Sequence, residues 1–137
     1  MSPYGSGAPL VFDTSAFARL PDRTVAARWT VTLEAGLLAL CPVVALELLG
    51  ASRNEDEFAR LDRALSGLTL RAPVTEGVSA AAIGASRELR GSRRLPAADY
   101  LIAAAAATQG FAVLHDDAHF DVLAGVLGFE SVHVTSG

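Results

Sequence analysis

Short apolar runs alternate with longer, more mixed ones along this chain. Pro9–Phe12 ("PLVF"), Leu37–Cys41, Leu68–Ala72 and Phe111–Leu114 are brief and largely apolar and read as buried strands, with Ser131–Val134 as a last one. The intervening stretches have helical character. Arg23–Ala35 is closed by Gly36, and Pro42 opens a helix that runs to about Ala51. Glu55–Ser66 carries Phe58, Leu61 and Leu65 on one face, a pattern that predicts packing, and stops at Gly67. Thr75–Arg90 starts on a threonine cap, and the alanine-rich Pro96–Gln109 ends at Gly110. Asp13, Thr14 and Ser15 offer a helix N-cap straight after the first strand. Strands alternating with helices predict an α/β fold, a parallel sheet covered on both faces. In such folds, sites form outside the carboxyl ends of the strands.

Residues 1–8 are rich in Gly, Ser and Pro and read as a flexible N-terminal extension. Residues 9–137 read as one domain, long enough to bury a real core, with no repeat and no linker. The lone cysteine, Cys41, sits between Leu40 and Pro42 and reads as a small core residue, which fits a reducing compartment. No basic, apolar leader opens the chain, and the longest apolar run, Leu101–Ala107, is too short to cross a bilayer; we expect a cytoplasmic protein without membrane contact. That run is expected to pack on the sheet. The net charge of −4 supplies no global field for nucleic acid. All 11 basic residues are arginine, so every chemistry that needs a lysine ammonium is excluded, including the GxxxxGK[ST] phosphate loop.

The candidate chemistry is acidic. In "VLHDDAHFD", Asp116, Asp117 and Asp121 crowd the carboxyl end of a strand. Asp13 ends the first strand. Glu47 sits in "VVALELLGA", apolar almost all round, where an unpaired buried carboxylate would be costly. Asp99 lies in the first turn of an otherwise apolar helix. Each has an ordinary alternative: a cap for Asp13, an ion pair with Arg19 or Arg53 for Glu47, the helix dipole for Asp99, turn or capping roles for Asp116, Asp117 and Asp121. Taken together these alternatives are weaker. Four converging acids with no lysine would raise one another's pKa values, and a divalent metal is the natural counterion. Carboxylates without a Cys/His cluster suit Mg²⁺ or Mn²⁺ rather than Zn²⁺. The chemistry that follows is metal-dependent phosphodiester hydrolysis. His115 reads as a loop hydrogen-bond partner, His119 as a surface residue and His133 as structural; Trp29 and Tyr100 read as packing residues.

Four stretches, "VFDTSAFARL", "VVALELLGASR", "LPAADYLIAAAA" and "GFAVLHDDAHFD", resemble in order and spacing the four motif regions of PIN-domain ribonucleases, most of all the VapC-type toxins of bacterial toxin–antitoxin pairs. The resemblance runs from about Leu10 to Val134. It implies a three-layer α/β/α sandwich with a central parallel sheet and a Mg²⁺- or Mn²⁺-dependent endoribonuclease. The family's acids carry over to Asp13, Glu47, Asp99 and Asp117 as catalytic residues, with Asp13, Asp99 and Asp117 on the metal and Ser15 as a supporting hydroxyl. It further implies a homodimer held inactive by a cognate VapB-like antitoxin. One departure stands out. The last motif often reads D-x-D-F, which would put Asp where His119 stands, and Asp116 fills a position that usually varies. The fourth acid is therefore Asp117 by register or Asp116 by substitution.

A haloacid-dehalogenase-like phosphatase or a receiver domain would need a lysine, and the former also a second Asp where Ser15 stands. A catalytically silent PIN fold used for protein contact is the other alternative. Two further expectations concern charge. Arg90, Arg93 and Arg94 in "RGSRR", the densest basic run, are candidates for the RNA backbone. An antitoxin is expected to place a basic side chain in the acidic pocket, because a guanidinium binds two carboxylate oxygens at once.

Overall fold

The computed structural model describes residues 4–92 and 94–136. The strands are β1 (Leu10–Phe12), β2 (Leu38–Leu40), β3 (Leu70–Arg71), β4 (Ala112–His115) and β5 (Ser131–His133). The helices are α1 (Thr14–Phe17), α2 (Arg23–Glu34), α3 (Pro42–Gly50), α4 (Glu55–Ser66), α5 (Glu76–Glu88), α6 (Ala97–Gln109) and α7 (His119–Leu127). The five strands form one sheet in the order β3-β2-β1-β4-β5, every pairing parallel, with Val11 aligned to Ala39 on one side and Val113 on the other. This is the expected three-layer α/β/α arrangement. With β1 central and β4 beside it, Asp13 and Asp116–Asp117 leave the same edge of the sheet.

Local chemistry explains the boundaries. Asn54 and Thr75 accept the backbone N–H of Glu57 and Val78, capping α4 and α5. Pro42 starts α3, where its missing N–H costs nothing. Gly110, at φ 72°, closes α6 in the left-handed conformation that a Cβ would oppose. The alanines of α6 do what their size permits: Ala103–Ala106 are fully buried, and the helix lies against β1 and β4. Phe12 and Trp29 meet edge to face at 5.0 Å.

Several expectations change. The sequence pattern predicts no element between β4 and β5, yet α7 occupies that stretch. Phe120 and Leu123, three residues apart, are fully buried, and Gly128 ends the helix at φ 78°. The strand β4 extends one residue past Leu114, so His115 is a strand residue aligned with His133. On α4, Leu65 is buried and Leu61 packs on the core, but Phe58 is 44% exposed. Within the N-terminal stretch, Tyr4 and Ser6 make defined contacts. Tyr4 is buried, donates its hydroxyl to the Val134 carbonyl at 3.1 Å and stacks under the Arg28 guanidinium at 4.1 Å. Ser6 donates to the Glu130 carboxylate at 2.8 Å. No helix among the described residues is long and apolar enough to cross a membrane.

Candidate active site

Asp13, a candidate site residue, also caps a helix. Its carboxylate accepts the Ser15 N–H at 3.1 Å and opens α1 as a cap. The Ser15 hydroxyl also donates to Asp13 Oδ2 at 2.6 Å. The same hydroxyl oxygen accepts the Asp116 N–H at 2.9 Å, and the Asp13 N–H donates to the Leu114 carbonyl at 2.9 Å. The turns after β1 and β4 are therefore laced together, with Asp13 buried between them.

Asp99 approaches from α6. It is buried in the first turn, and burial pushes its carboxyl pKa up; the Asp13 and Asp117 charges push the same way, and His119 opposes them. Asp117 follows β4. Its Oδ1 accepts the His119 N–H at 2.9 Å, which starts α7 and folds the imidazole back toward the acids. His119 Nδ1 then lies 2.8 Å from Asp99 Oδ2 and 3.3 Å from Asp117 Oδ1. Ligand-type atoms of Asp99, Asp117 and His119 all fall within 4.8 Å of one another. That is a donor set able to hold a metal ion. Asp13 is coupled to it through charge, although it is not one of the three.

Glu47 differs from expectation. It is exposed rather than buried, because α3 turns that side outward; its neighbour Leu46 is 72% exposed. The apolar sequence of α3 therefore misrepresents its surroundings. No ion pair with Arg19 or Arg53 forms: Arg53 pairs with Glu57, and Arg19 with Asp116. Glu47 Oε1 instead accepts the Thr14 hydroxyl at 2.9 Å, which ties α3 to the residue next to Asp13.

The two adjacent aspartates point in different directions. Asp117 shares His119 with Asp99. Asp116 turns the other way, to Arg19 Nη1 at 3.3 Å and His133 Nε2 at 3.5 Å. Arg90 and Arg94 are exposed between α5 and α6; Arg90 donates to the Arg87 carbonyl at 2.6 Å, and Arg93 lies outside the described residues.

Two histidines carry more of the site than their sequence setting suggested. His119 joins the acids rather than the surface, and the only hint was its position two residues after Asp117. His115 is fully buried. Its Nδ1 accepts the Asp117 N–H at 3.1 Å, and its Nε2 lies 2.6 Å from Ser131 Oγ, which donates to Asp121 Oδ1 at 2.7 Å. Because the Ser131 hydrogen goes to Asp121, the imidazole proton belongs on Nε2. Asp121 is thus the far end of a chain that reaches the backbone of Asp117. A groove of about 480 Å³ between α5 and the start of α6 is lined by residues such as Ile83, Tyr100 and Leu101 and holds none of these acids.

This geometry has relatives. Residues 10–126 match the PIN domain family model. The chain is 39% identical over 123 residues to ribonuclease VapC51 of Mycobacterium tuberculosis, covering 86% of this chain and 87% of that one. It is 34% identical over 121 residues to ribonuclease VapC18 of the same organism, covering 85% and 88%. Among solved structures it resembles VapBC-5 of M. tuberculosis, a member of the VapBC family of toxin–antitoxin systems, with a TM-score of 0.65 and 26% identity over 92% of this chain and 98% of that one. On sequence and fold alike, the chain belongs to the PIN-domain family.

Proposed function

We propose that this protein is a metal-dependent endoribonuclease that hydrolyses RNA phosphodiester bonds as the toxin of a toxin–antitoxin pair. The observation that carries the reading is the buried carboxyl of Asp99, held beside Asp117 and His119 with the Asp13 charge close by. Carboxylates in that setting repel one another and favour a cation. Asp13, Asp99 and Asp117 are the residues assigned to Mg²⁺ or Mn²⁺. A bound divalent ion supplies Lewis-acid polarisation of the phosphodiester and lowers the pKa of a water.

The chain's own groups do the rest. Ser15 holds the Asp13 carboxylate in one orientation, and His115 steadies the Asp117 backbone. Glu47, exposed and bonded to Thr14 beside Asp13, is assigned a catalytic role without a place on the metal. Asp116, paired with Arg19, supports the site's edge rather than the metal. Arg90, Arg93 and Arg94 are assigned to the RNA backbone. The relatives named ribonucleases and the VapBC neighbour support an RNA substrate and a VapB-like antitoxin; a homodimer in the cytoplasm completes the proposal.

The test is cleavage of total cellular RNA with Mg²⁺ or Mn²⁺, with and without chelator, by wild type and Asp99→Asn. Wild type should cut only with metal. Asp99→Asn should not cut, yet should be as stable as metal-free wild type or more so, since it removes a buried like charge. Cleavage by the variant at the wild-type rate, or undiminished cleavage in chelator, would overturn the reading.

A further inference from the structure

We propose that His119 is a nitrogen ligand of the metal ion, and that the site therefore prefers a first-row transition metal to Mg²⁺. The inference rests on the metal-dependent reading above and adds to it a ligand of a different kind. The geometry comes first. Nδ1 of His119 stands 2.8 Å from Asp99 Oδ2 and 3.3 Å from Asp117 Oδ1, on two different elements. In an octahedral site with bonds near 2.1 Å, neighbouring ligand atoms sit about 3.0 Å apart. Both spacings match such an edge.

The way His119 is built also matters. Its own N–H is bound to Asp117 Oδ1 at 2.9 Å, so the first turn of α7 fixes the imidazole over the acids. Its side chain is only 28% exposed. A cation among the three ligand atoms would serve both carboxylates and the ring nitrogen at once.

The selectivity follows from donor chemistry. Mg²⁺ is hard, asks for oxygen ligands in near-ideal geometry and keeps its waters. Imidazole nitrogen suits Zn²⁺, Cu²⁺, Fe²⁺ and Ni²⁺, and Mn²⁺ stands between these and Mg²⁺ as the hardest of the first-row series. Adding one imidazole to the carboxylates of Asp99, Asp117 and Asp13 thus shifts the site away from Mg²⁺.

Mn²⁺ is the probe. Pulsed EPR of the Mn²⁺-loaded protein should detect ¹⁴N hyperfine coupling from a coordinated imidazole, and His119→Asn should abolish it. Mn²⁺ affinity, read by titration calorimetry, should drop at least about tenfold in that variant, since even outer partners of ligands cost about 10–100-fold. His119→Asp, which supplies an oxygen instead, should lower the ratio of Mn²⁺ to Mg²⁺ affinity by about tenfold or more. Unfolding of both metal-free variants by heat verifies that they fold. Wild type that binds Mn²⁺ without nitrogen coupling overturns His119 as a ligand and leaves the metal-dependent reading standing. Coupling that persists in His119→Asn also overturns it. Wild type that binds no divalent ion overturns both.

Discussion

Ser15 Oγ lies 2.6 Å from Asp13 Oδ2 and donates to it, while the same oxygen receives the Asp116 N–H at 2.9 Å. One hydroxyl thus joins the turn after β1 to the turn after β4, where the acids gather. Ser15→Ala removes both bonds and leaves a partly buried N–H without this partner, a loss of about 1–3 kcal/mol. RNA cleavage should fall with it, because Asp13 loses its fixed orientation. Ser15→Thr keeps the hydroxyl and should recover most of both. Urea unfolding and a cleavage assay on the two variants check this; an alanine variant with wild-type stability and rate would refute it.

His115 links stability to pH. Burial lowers its pKa below 6.5; the His133 charge adds to that, and Asp121, Asp13 and Asp117 oppose it. The unfolded chain takes up the proton first as pH falls, so between 6.5 and the lower folded value it binds more protons than the native state. Stability from this group is therefore present above pH 6.5 and is lost as pH falls through that window. His115→Gln keeps a donor toward Ser131 but cannot titrate. Urea midpoints in chelator from pH 7.5 down to 5 should decline more steeply for wild type than for the variant. Parallel curves would mean that His115 does not carry the effect.

Arg93 and Arg94 are expected to contact phosphate rather than bases, so their loss should weaken binding alike across sequences. Each phosphate contact on single-stranded nucleic acid contributes about 0.7 to the slope of log affinity against log salt. Neutralising both should flatten that slope by about 1.4. Fluorescence anisotropy of labelled RNA over a salt series reads it directly. A slope equal to that of wild type returns both arginines to a solvated loop.

An antitoxin that fills the acidic pocket with a guanidinium should compete with metal, because the same carboxylate oxygens would be occupied. Mn²⁺ should bind the toxin–antitoxin complex more weakly than it binds free toxin. Replacing the antitoxin's basic residues with alanine should restore metal binding and relieve inhibition. Equal Mn²⁺ affinity in complex and free toxin, together with full inhibition by the alanine-substituted antitoxin, would rule out pocket filling.

Much of the architecture was legible in the residues alone. Apolar runs too short for helices, alternating with helical stretches, dictate a parallel sheet, and Asp13, Asp99 and Asp117 stand at the strand ends and helix starts that such a sheet brings together. Hydrophobic period and turn chemistry are local properties, so sequence carries them well. Direction and exposure are not local. The apolar neighbours of Glu47 predicted burial, but the outer side of α3 faces solvent, as exposed Leu46 also records. Adjacent Asp116 and Asp117 are equivalent as letters; the turn after β4 sends one to Arg19 and the other to His119. His119 looked like a surface residue until α7 turned it onto Asp99, 20 positions earlier in the chain. Tyr4, in a stretch whose composition reads as loose, is held by Val134 and Arg28. For Asp116, His119 and Tyr4 the deciding contact joins elements far apart in sequence, and for Glu47 it is the side of α3 left to solvent; only the packed structure determines either.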